Sequence, residues 1–265
     1  MTESLDALAD VAPLTPRGDG LFSLHVPEGW QHGRGAYGGL VVGLLAAAVE
    51  AVEPATERPI RTLSATLGHP VGAGEAEVRV LVRRRGRSLS TLTAQLHQGG
   101  VVAAEGLFVC STARTPTATH GLLGPPALDD WRSVPVLELP TAAVPPFTRH
   151  LEFRNTGALP ATGAATPTAA GWIRPRVRRR THDTFELVCL TDAWWPAALA
   201  SERGPLHTAT VSFQWSRYAT PAGDAPLYHE GRVLAAGDGF FSEERALFTA
   251  DGELVALNHQ TFAVG

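Results

Sequence analysis

The chain has 265 residues, 44% hydrophobic and 18% charged, with 27 glycines and 20 prolines, which is enough for a sizeable core in one or two globular domains. Its formal net charge of -4 lacks the basic excess expected of a nucleic-acid binder or an anionic-membrane binder. Two cysteines, Cys110 and Cys189, make no disulfide framework, and their contexts LFVC and LVCL predict buried free thiols.

The N-terminal stretch MTESLDALADVAPLTP carries acids where a signal peptide has a basic region followed by an apolar run, so a cytoplasmic location is expected. Leu21–Val26 (LFSLHV) alternates as a first strand, which Pro27 and Gly29 end. The stretch from Gly33 to Val52, GRGAYGGLVVGLLAAAVEAV, has no polar face over most of its length and predicts a helix buried on all sides. The part after Gly39 covers roughly 20 Å at about 1.5 Å per residue, far short of a membrane span. Gly38 and Gly39 at its start either expose backbone N–H groups to a ligand oxygen or simply permit a tight turn.

Four strands follow in quick succession: Arg61–Leu67, Ala76–Arg83, Ser88–His97 and Val101–Cys110, separated by glycine-bearing turns. From Ser111 to Ala170 the composition shifts to Pro, Ala, Thr and Gly, a connector interrupted by one strand at His150–Arg154. Strand, helix and strand signals then recur from Gly171 in the order of the first half.

An offset of 153 places Gly86 on Gly239, Gly99 on Gly252 and Val102 on Val255, while an offset of 148 places Thr62 and Ser64 on Thr210 and Ser212. The chain is therefore expected to be a duplication: an N-terminal domain over 1–111, a linker over 112–146 and a C-terminal domain over 147–265. By these offsets Leu107 corresponds to Gln260 and Ile60 to Thr208, so the polar member lies in the second half each time. The second helix carries Asp192 among Leu187, Val188, Leu190, Trp194 and Trp195. A buried carboxylate must be paired, hydrogen-bonded or turned into a cleft, unless Asp192 simply caps the helix N-terminus.

The segment GDGFFSEERALFTADGELVALNHQ, with Gly239, Phe240, Phe248, Thr249, Asp251, Gly252 and Gln260, resembles the end of the acyl-CoA thioesterase II family. RGAYGGLVVGLLAAA is similar to that family's first helix, and the strands from Arg61 to Gly100 to the sheet that follows it. The resemblance implies an α+β double hotdog, two tandem copies of a central helix wrapped by an antiparallel sheet, with the two sheets continuous. It also implies an enzyme of lipid metabolism in which a water is held for attack on a thioester. The holding groups are an aspartate at the start of the second helix, a threonine on the next strand and a glutamine on the last.

Carried over, these are Asp192, Thr208 and Gln260, with Thr210 the alternative hydroxyl because it shares the face of Thr208. Gly38 and Gly39 are the candidate oxyanion donors. The chain departs from the family in having Leu40 after the paired glycines and one residue fewer between Asp192 and Pro196. The implied substrate is an acyl-CoA or acyl-carrier-protein thioester, with no further cofactor and no metal. A homodimer or higher homo-oligomer is compatible with this reading. Asp192, with an ordinary value of about 3.9, would be ionised at pH 7 and can serve as base.

The chain has no G-x-S-x-G elbow, metal-ligand spacing or phosphate loop. His32 stands just before the glycine-rich turn as a surface residue or a substrate contact. Arg174, Arg176, Arg178 and Arg180 form a stripe suited either to coenzyme A phosphates or to guarding a sheet edge. The rival readings are a hotdog hydratase or dehydratase, which would need a histidine near Asp192, and a non-catalytic acyl-binding protein.

Overall fold

The computed structural model describes residues 8, 11–54, 56–114, 128–140, 144–177 and 182–265. Two helices lie inside one antiparallel sheet of 12 strands among the described residues, and the sheet halves mirror each other in strand order. One half runs β1 (Thr15–Gly18), β2 (Leu21–Val26), β6 (Gly74–Arg85), β7 (Leu89–Gln98), β8 (Val101–Ser111) and β5 (Ile60–Leu67). The other continues from β5 through β11 (Thr208–Arg217), β14 (Leu254–Val264), β13 (Phe240–Phe248), β12 (Leu227–Gly237), β10 (Thr168–Pro175) and β9 (Leu151–Asn155). A two-residue pair, β3 (Gln31–His32) with β4 (Gly35–Ala36), precedes the first helix.

Alternation sets the faces. On β6, Ala76, Val78 and Val80 point inward and Glu75, Glu77 and Arg79 outward; on β7, Leu92, Ala94 and Leu96 are inward. The inner face wraps α1 (Gly38–Val52), whose Leu40, Val41, Val42, Leu44, Leu45 and Val49 are buried, as expected of a helix apolar on nearly every side. Strand β1, absent from the sequence-based reading, arises because Gly18, Asp19 and Gly20 all adopt positive φ and turn the chain back onto β2.

The duplication is visible in the register. Strands β5 and β11 pair across the middle of the sheet with Ser64 opposite Gln214, as required of a pseudo-two-fold axis at that point relating the two strands by 150 residues. The bulges agree: the ladder slips between Ile60 and Thr62 on β5 and between Thr210 and Ser212 on β11. For β8 and β14, the pairs Ile60 with Cys110 and Thr210 with Phe262 give an offset of 152.

This corrects the gapless offset of 153. The turn before β14 is one residue longer than the turn before β8, since His97 pairs Val102 while Phe248 pairs Leu254. A slip of one exchanges the faces of a strand. The first-half counterpart of Gln260 is therefore Phe108, 0% exposed, and not Leu107, which lies on the outer face at 46% exposed. The counterpart of Thr210 is Ile60, so Ile60 does not correspond to Thr208.

The second helix, α2, spans Thr184–Asp192 and is capped by Asp183, whose side chain accepts from Glu186 N at 2.8 Å. Asp192 is its last residue. Neither the capping role at a helix N-terminus nor the placement at a helix start holds for Asp192. The helix stops short of Pro196, because the residue before a proline disfavours the α conformation.

Helices α1 and α2 pack against each other antiparallel, Gly39 and Gly43 of one facing Asp192, Cys189 and Phe185 of the other. Of the arginine stripe, Arg178 and Arg180 lie outside the described residues. Arg174 is half of a grip on the connector: with Arg154 it pairs Glu152, and both guanidinium groups lie over the Trp131 ring at 5.0 and 5.3 Å.

Candidate active site

Asp192 leaves the C-terminal end of α2 and arrives at the N-terminus of α1. Its Oδ2 accepts the Gly39 backbone N–H at 2.6 Å, and its Oδ1 accepts from Gln260 Nε2 at 2.7 Å and from Arg245 Nη1 at 3.3 Å. α1 has neither an acid in its first turn nor a side-chain cap, so Asp192 supplies from the other helix the negative charge its N-terminus favours. Glycine at position 39 is what allows this approach: a Cβ there would lie 2.7 Å from Asp192 Cβ and 2.8 Å from the Tyr37 ring.

Gln260, 1% exposed, is oriented by its neighbours. Its amide also donates to Asn258 Oδ1 at 2.9 Å, and Asn258 in turn donates to the Gln214 carbonyl at 2.8 Å. The hydroxyl that reaches Gln260 is that of Thr210, which donates to Gln260 Oε1 at 3.3 Å. Thr208 instead stands at the first position of β11, opposite Val264. The structure thus joins Asp192, Gln260, Gly39 and Thr210, leaves Gly38 alongside, where an added Cβ would lie 2.9 Å from Asp192 Oδ2, and leaves Thr208 two residues away.

Two residues of the site have no place in the sequence-based set. Arg245, 1% exposed, bridges Asp192 and the fully buried Glu243: its Nε and Nη2 donate to Glu243 Oε2 at 3.2 and 3.1 Å, and Glu243 Oε1 accepts the Ala198 N–H at 3.0 Å. The signal was present in FFSEERALF, where Glu243 and Arg245 share parity with Phe241 and Leu247, the apolar side of that strand.

Burial drives the Asp192 carboxyl above the usual aspartate range. The Arg245 guanidinium, the Gln260 amide and the Gly39 N–H oppose this, in that order of strength, without cancelling it. His32 lies close enough to feel both Asp192 and Arg245. Desolvation holds its imidazole below the ordinary value, and the Asp192 charge partly offsets that. His32 also packs against Phe147, which stacks on Tyr37 at 4.2 Å, so an aromatic wall runs from His32 to the start of α1. His259 points to the outer face and pairs Glu244. A surface groove of about 810 Å³, lined by Arg17, Ser23, Glu77, Arg79 and Gln98, lies on the outer face of the first half, away from this network.

Family models match the chain in both halves: an acyl-CoA thioesterase N-terminal domain over residues 26–111 and an acyl-CoA thioesterase C-terminal domain over residues 124–264. No curated protein matches it. Among solved structures, the chain is similar to a hot dog fold protein of unknown function from Alicyclobacillus acidocaldarius, with 20% identity, TM-score 0.87 and 98% of both chains covered. It is also similar to a putative thioesterase II from Thermobifida fusca YX, with 20% identity, TM-score 0.82 and 97% of both chains covered. A third is the acyl-CoA thioesterase II TesB2 from Mycobacterium marinum, with 17% identity, TM-score 0.75 and 98% of both chains covered. With both halves matched in order and the duplicated architecture in place, this chain belongs to the acyl-CoA thioesterase family as a double hotdog.

Proposed function

We propose that the protein hydrolyses acyl-CoA or carrier-bound acyl thioesters to a free carboxylic acid and a thiol by direct attack of water. The observation that carries this is the Asp192 carboxylate, 7% exposed, held at the start of α1 in one hydrogen-bonded set with Gln260 and Thr210. Asp192 Oδ2 takes the Gly39 N–H and retains a second lone pair, which can accept a proton from water. Gln260 Oε1 and Thr210 Oγ1, already linked, keep lone pairs that can accept the second hydrogen of that water and so orient it.

As the water oxygen bonds to the thioester carbon, its proton passes to Asp192 and negative charge collects on the former carbonyl oxygen. The Gly38 N–H, beside the carboxylate and at the positive end of the α1 dipole, is the donor assigned to that oxygen, since Gly39 is occupied by Asp192. Collapse breaks the C–S bond, and Asp192 returns the proton to the departing thiolate.

The test is thiol release from a panel of acyl-CoA and acyl-carrier thioesters. Asp192→Asn, which keeps the shape while removing the charge and one acceptor oxygen, is expected to lower turnover by about 10²- to 10⁴-fold. A folded Asp192→Asn protein with wild-type turnover refutes the assignment. Binding of acyl-CoA without any thiol release favours the non-catalytic alternative.

A further inference from the structure

The inward-facing positions of the two sheet halves differ in one direction. Register pairs relate β6 to β12 and β7 to β13 by 151 residues: Val78 opposite Leu96 matches His229 opposite Leu247, and the bulges between Val82 and Arg84 and between Val233 and Ala235 coincide. Leu92 and Ala94, both fully buried in the first half, thus become Glu243 and Arg245 in the second. An apolar packing solution for these positions exists within the same molecule. The second half instead buries an ion pair, which is costly to desolvate and is often no more stable than its apolar replacement. Arg245 of the pair contacts Asp192 directly, with Glu243 behind it.

We infer that Arg245 and Glu243 are positioning residues for the proposed thioester hydrolysis: Arg245 fixes the Asp192 carboxylate from behind, and Glu243 fixes Arg245. This rests on the proposed function of the site. The geometry is a chain of contacts from the Ala198 N–H through Glu243 and Arg245 to Asp192 Oδ1, so that one carboxylate oxygen is immobilised and Oδ2 is left for Gly39 and water. Arg245 Nη1 also donates to the Asp192 backbone carbonyl at 3.4 Å, which gathers both the side chain and the end of α2 onto one guanidinium.

The groups facing Asp192 are His32 from β3, Tyr37 ahead of α1, Gln260 from β14, Arg245 with Glu243 behind it from β13, and Cys189 on its own helix; His229 from β12 faces Arg245, and Glu186 lies beyond Tyr37 and Cys189. Among these, Arg245 is the cation in direct contact. Removing it withdraws the main opposition to burial, so Asp192 holds its proton to higher pH. Removing the Glu243 charge has the opposite sign, because one negative neighbour disappears and Arg245 faces Asp192 alone.

The experiment measures kcat/KM against pH for wild type, Arg245→Met, Arg245→Lys and Glu243→Gln. Arg245→Met is expected to move the acid limb up by about one to three pH units, Arg245→Lys to fall between it and wild type, and Glu243→Gln to move the limb down. On the acid side each unit is a tenfold loss in the ionised base. A role in packing alone would lower activity at every pH without moving the limb in opposite directions.

The same comparison is read without turnover, by titrating the carboxyl carbon of ¹³C-labelled aspartate, with the Asp192 signal identified by its loss in Asp192→Asn. Opposite displacements in Arg245→Met and Glu243→Gln support the inference; equal or unmoved values overturn it. If Arg245→Met fails to fold, Arg245→Lys and Glu243→Gln still carry the sign. A wild-type protein inactive on every thioester would refute the proposed function, and the carboxyl titration would still judge Arg245.

Discussion

Gly39→Ala tests whether the site depends on two helices meeting without side chains between them. The added Cβ would stand 2.7 Å from Asp192 Cβ, 2.8 Å from Tyr37 Cε2 and 3.1 Å from the Cys189 carbonyl oxygen. Overpacking of this kind costs about 1–3 kcal/mol, and alanine returns up to about 1 kcal/mol through helix propensity. A net loss of about 0.5–2 kcal/mol follows, or a Tm lower by about 1–8 °C in a chain of this size. Because two of the three contacts are the Asp192 stem and backbone, the clash is relieved by moving the carboxylate off the Gly39 N–H, and turnover should fall by more than stability does. Gly43→Ala meets Cys189 Sγ at 3.0 Å and the Phe185 ring at 3.0 Å, side chains that can give way, so its effect on Tm should be smaller and its effect on turnover slight. Gly204, with nothing within 4 Å of an added Cβ, is the control. Thermal unfolding and thiol release on the three alanine variants decide the matter. A Gly39→Ala protein with wild-type Tm and wild-type turnover would refute the reasoning.

Thr210→Val should lower turnover by about ten- to a hundredfold while Thr208→Val leaves it unchanged, because only the Thr210 hydroxyl reaches Gln260; the reverse ranking in a thiol-release assay restores Thr208. Leu107→Gln should be silent in thermal unfolding, being on the outer face, whereas Phe108→Gln should cost about 3 kcal/mol or more by emptying a buried ring site and stranding an amide; equal effects would show that the 152-residue register is wrong. The last concerns Glu50 near the end of α1. Burial raises its carboxyl above the ordinary value despite the Thr184 hydroxyl and Arg217, so between the unfolded value and the raised folded value the native state holds the extra proton. Wild type should therefore lose stability relative to Glu50→Gln as pH climbs through that window, measured by urea unfolding at several pH values, with turnover at neutral pH unaltered; a relative gain on raising pH would be the wrong sign.

The fold was largely legible because its main signals are redundant. An apolar run that leaves no polar face can only be an enclosed helix, and period-two alternation on β5 through β8 repeats often enough to place four strands nearly to their ends. Asp192 and Gln260 were legible for a related reason, since a polar group at a position the other half leaves apolar stands out. The hydroxyl and the counterparts were not. They depend on turn lengths, which make the offset 150 for β5 and β11, 151 for β7 and β13 and 152 for β8 and β14; an extra turn residue leaves no mark in composition yet exchanges the faces of the strand beyond it, and Thr208 and Thr210 share one face, so only position along β11 separates them. The connector's grip on the sheet was hidden for a different reason. Arg154, Arg174 and Glu152 look like a charged edge until Trp131, some twenty residues earlier, is seen to lie across them.

The register that corrected those assignments also explains why the site is single. Each helix start meets a carboxylate from the far end of the other helix: Gly39 N–H with Asp192 at one junction, and Thr184 Oγ1 with Glu50 at 2.5 Å at the other. The arrangement follows from packing two similar helices antiparallel about one axis, since the N-terminus of each then favours an acid where its partner ends. What distinguishes the junctions is the sheet beneath. Thr210, Glu243, Arg245, Asn258 and Gln260 all face inward in the second half. Their counterparts at the same register are Ile60, Leu92, Ala94, Gly106 and Phe108, which can neither orient a water nor hold a carboxylate from behind. At the Glu50 junction the support comes from Arg217, whose Nη1 donates to Thr184 at 3.1 Å and so closes the hydroxyl between an acid and a base. One junction is thus closed through the Thr184 hydroxyl, and the other leaves a lone pair on Asp192 Oδ2 for the water of the proposed hydrolysis.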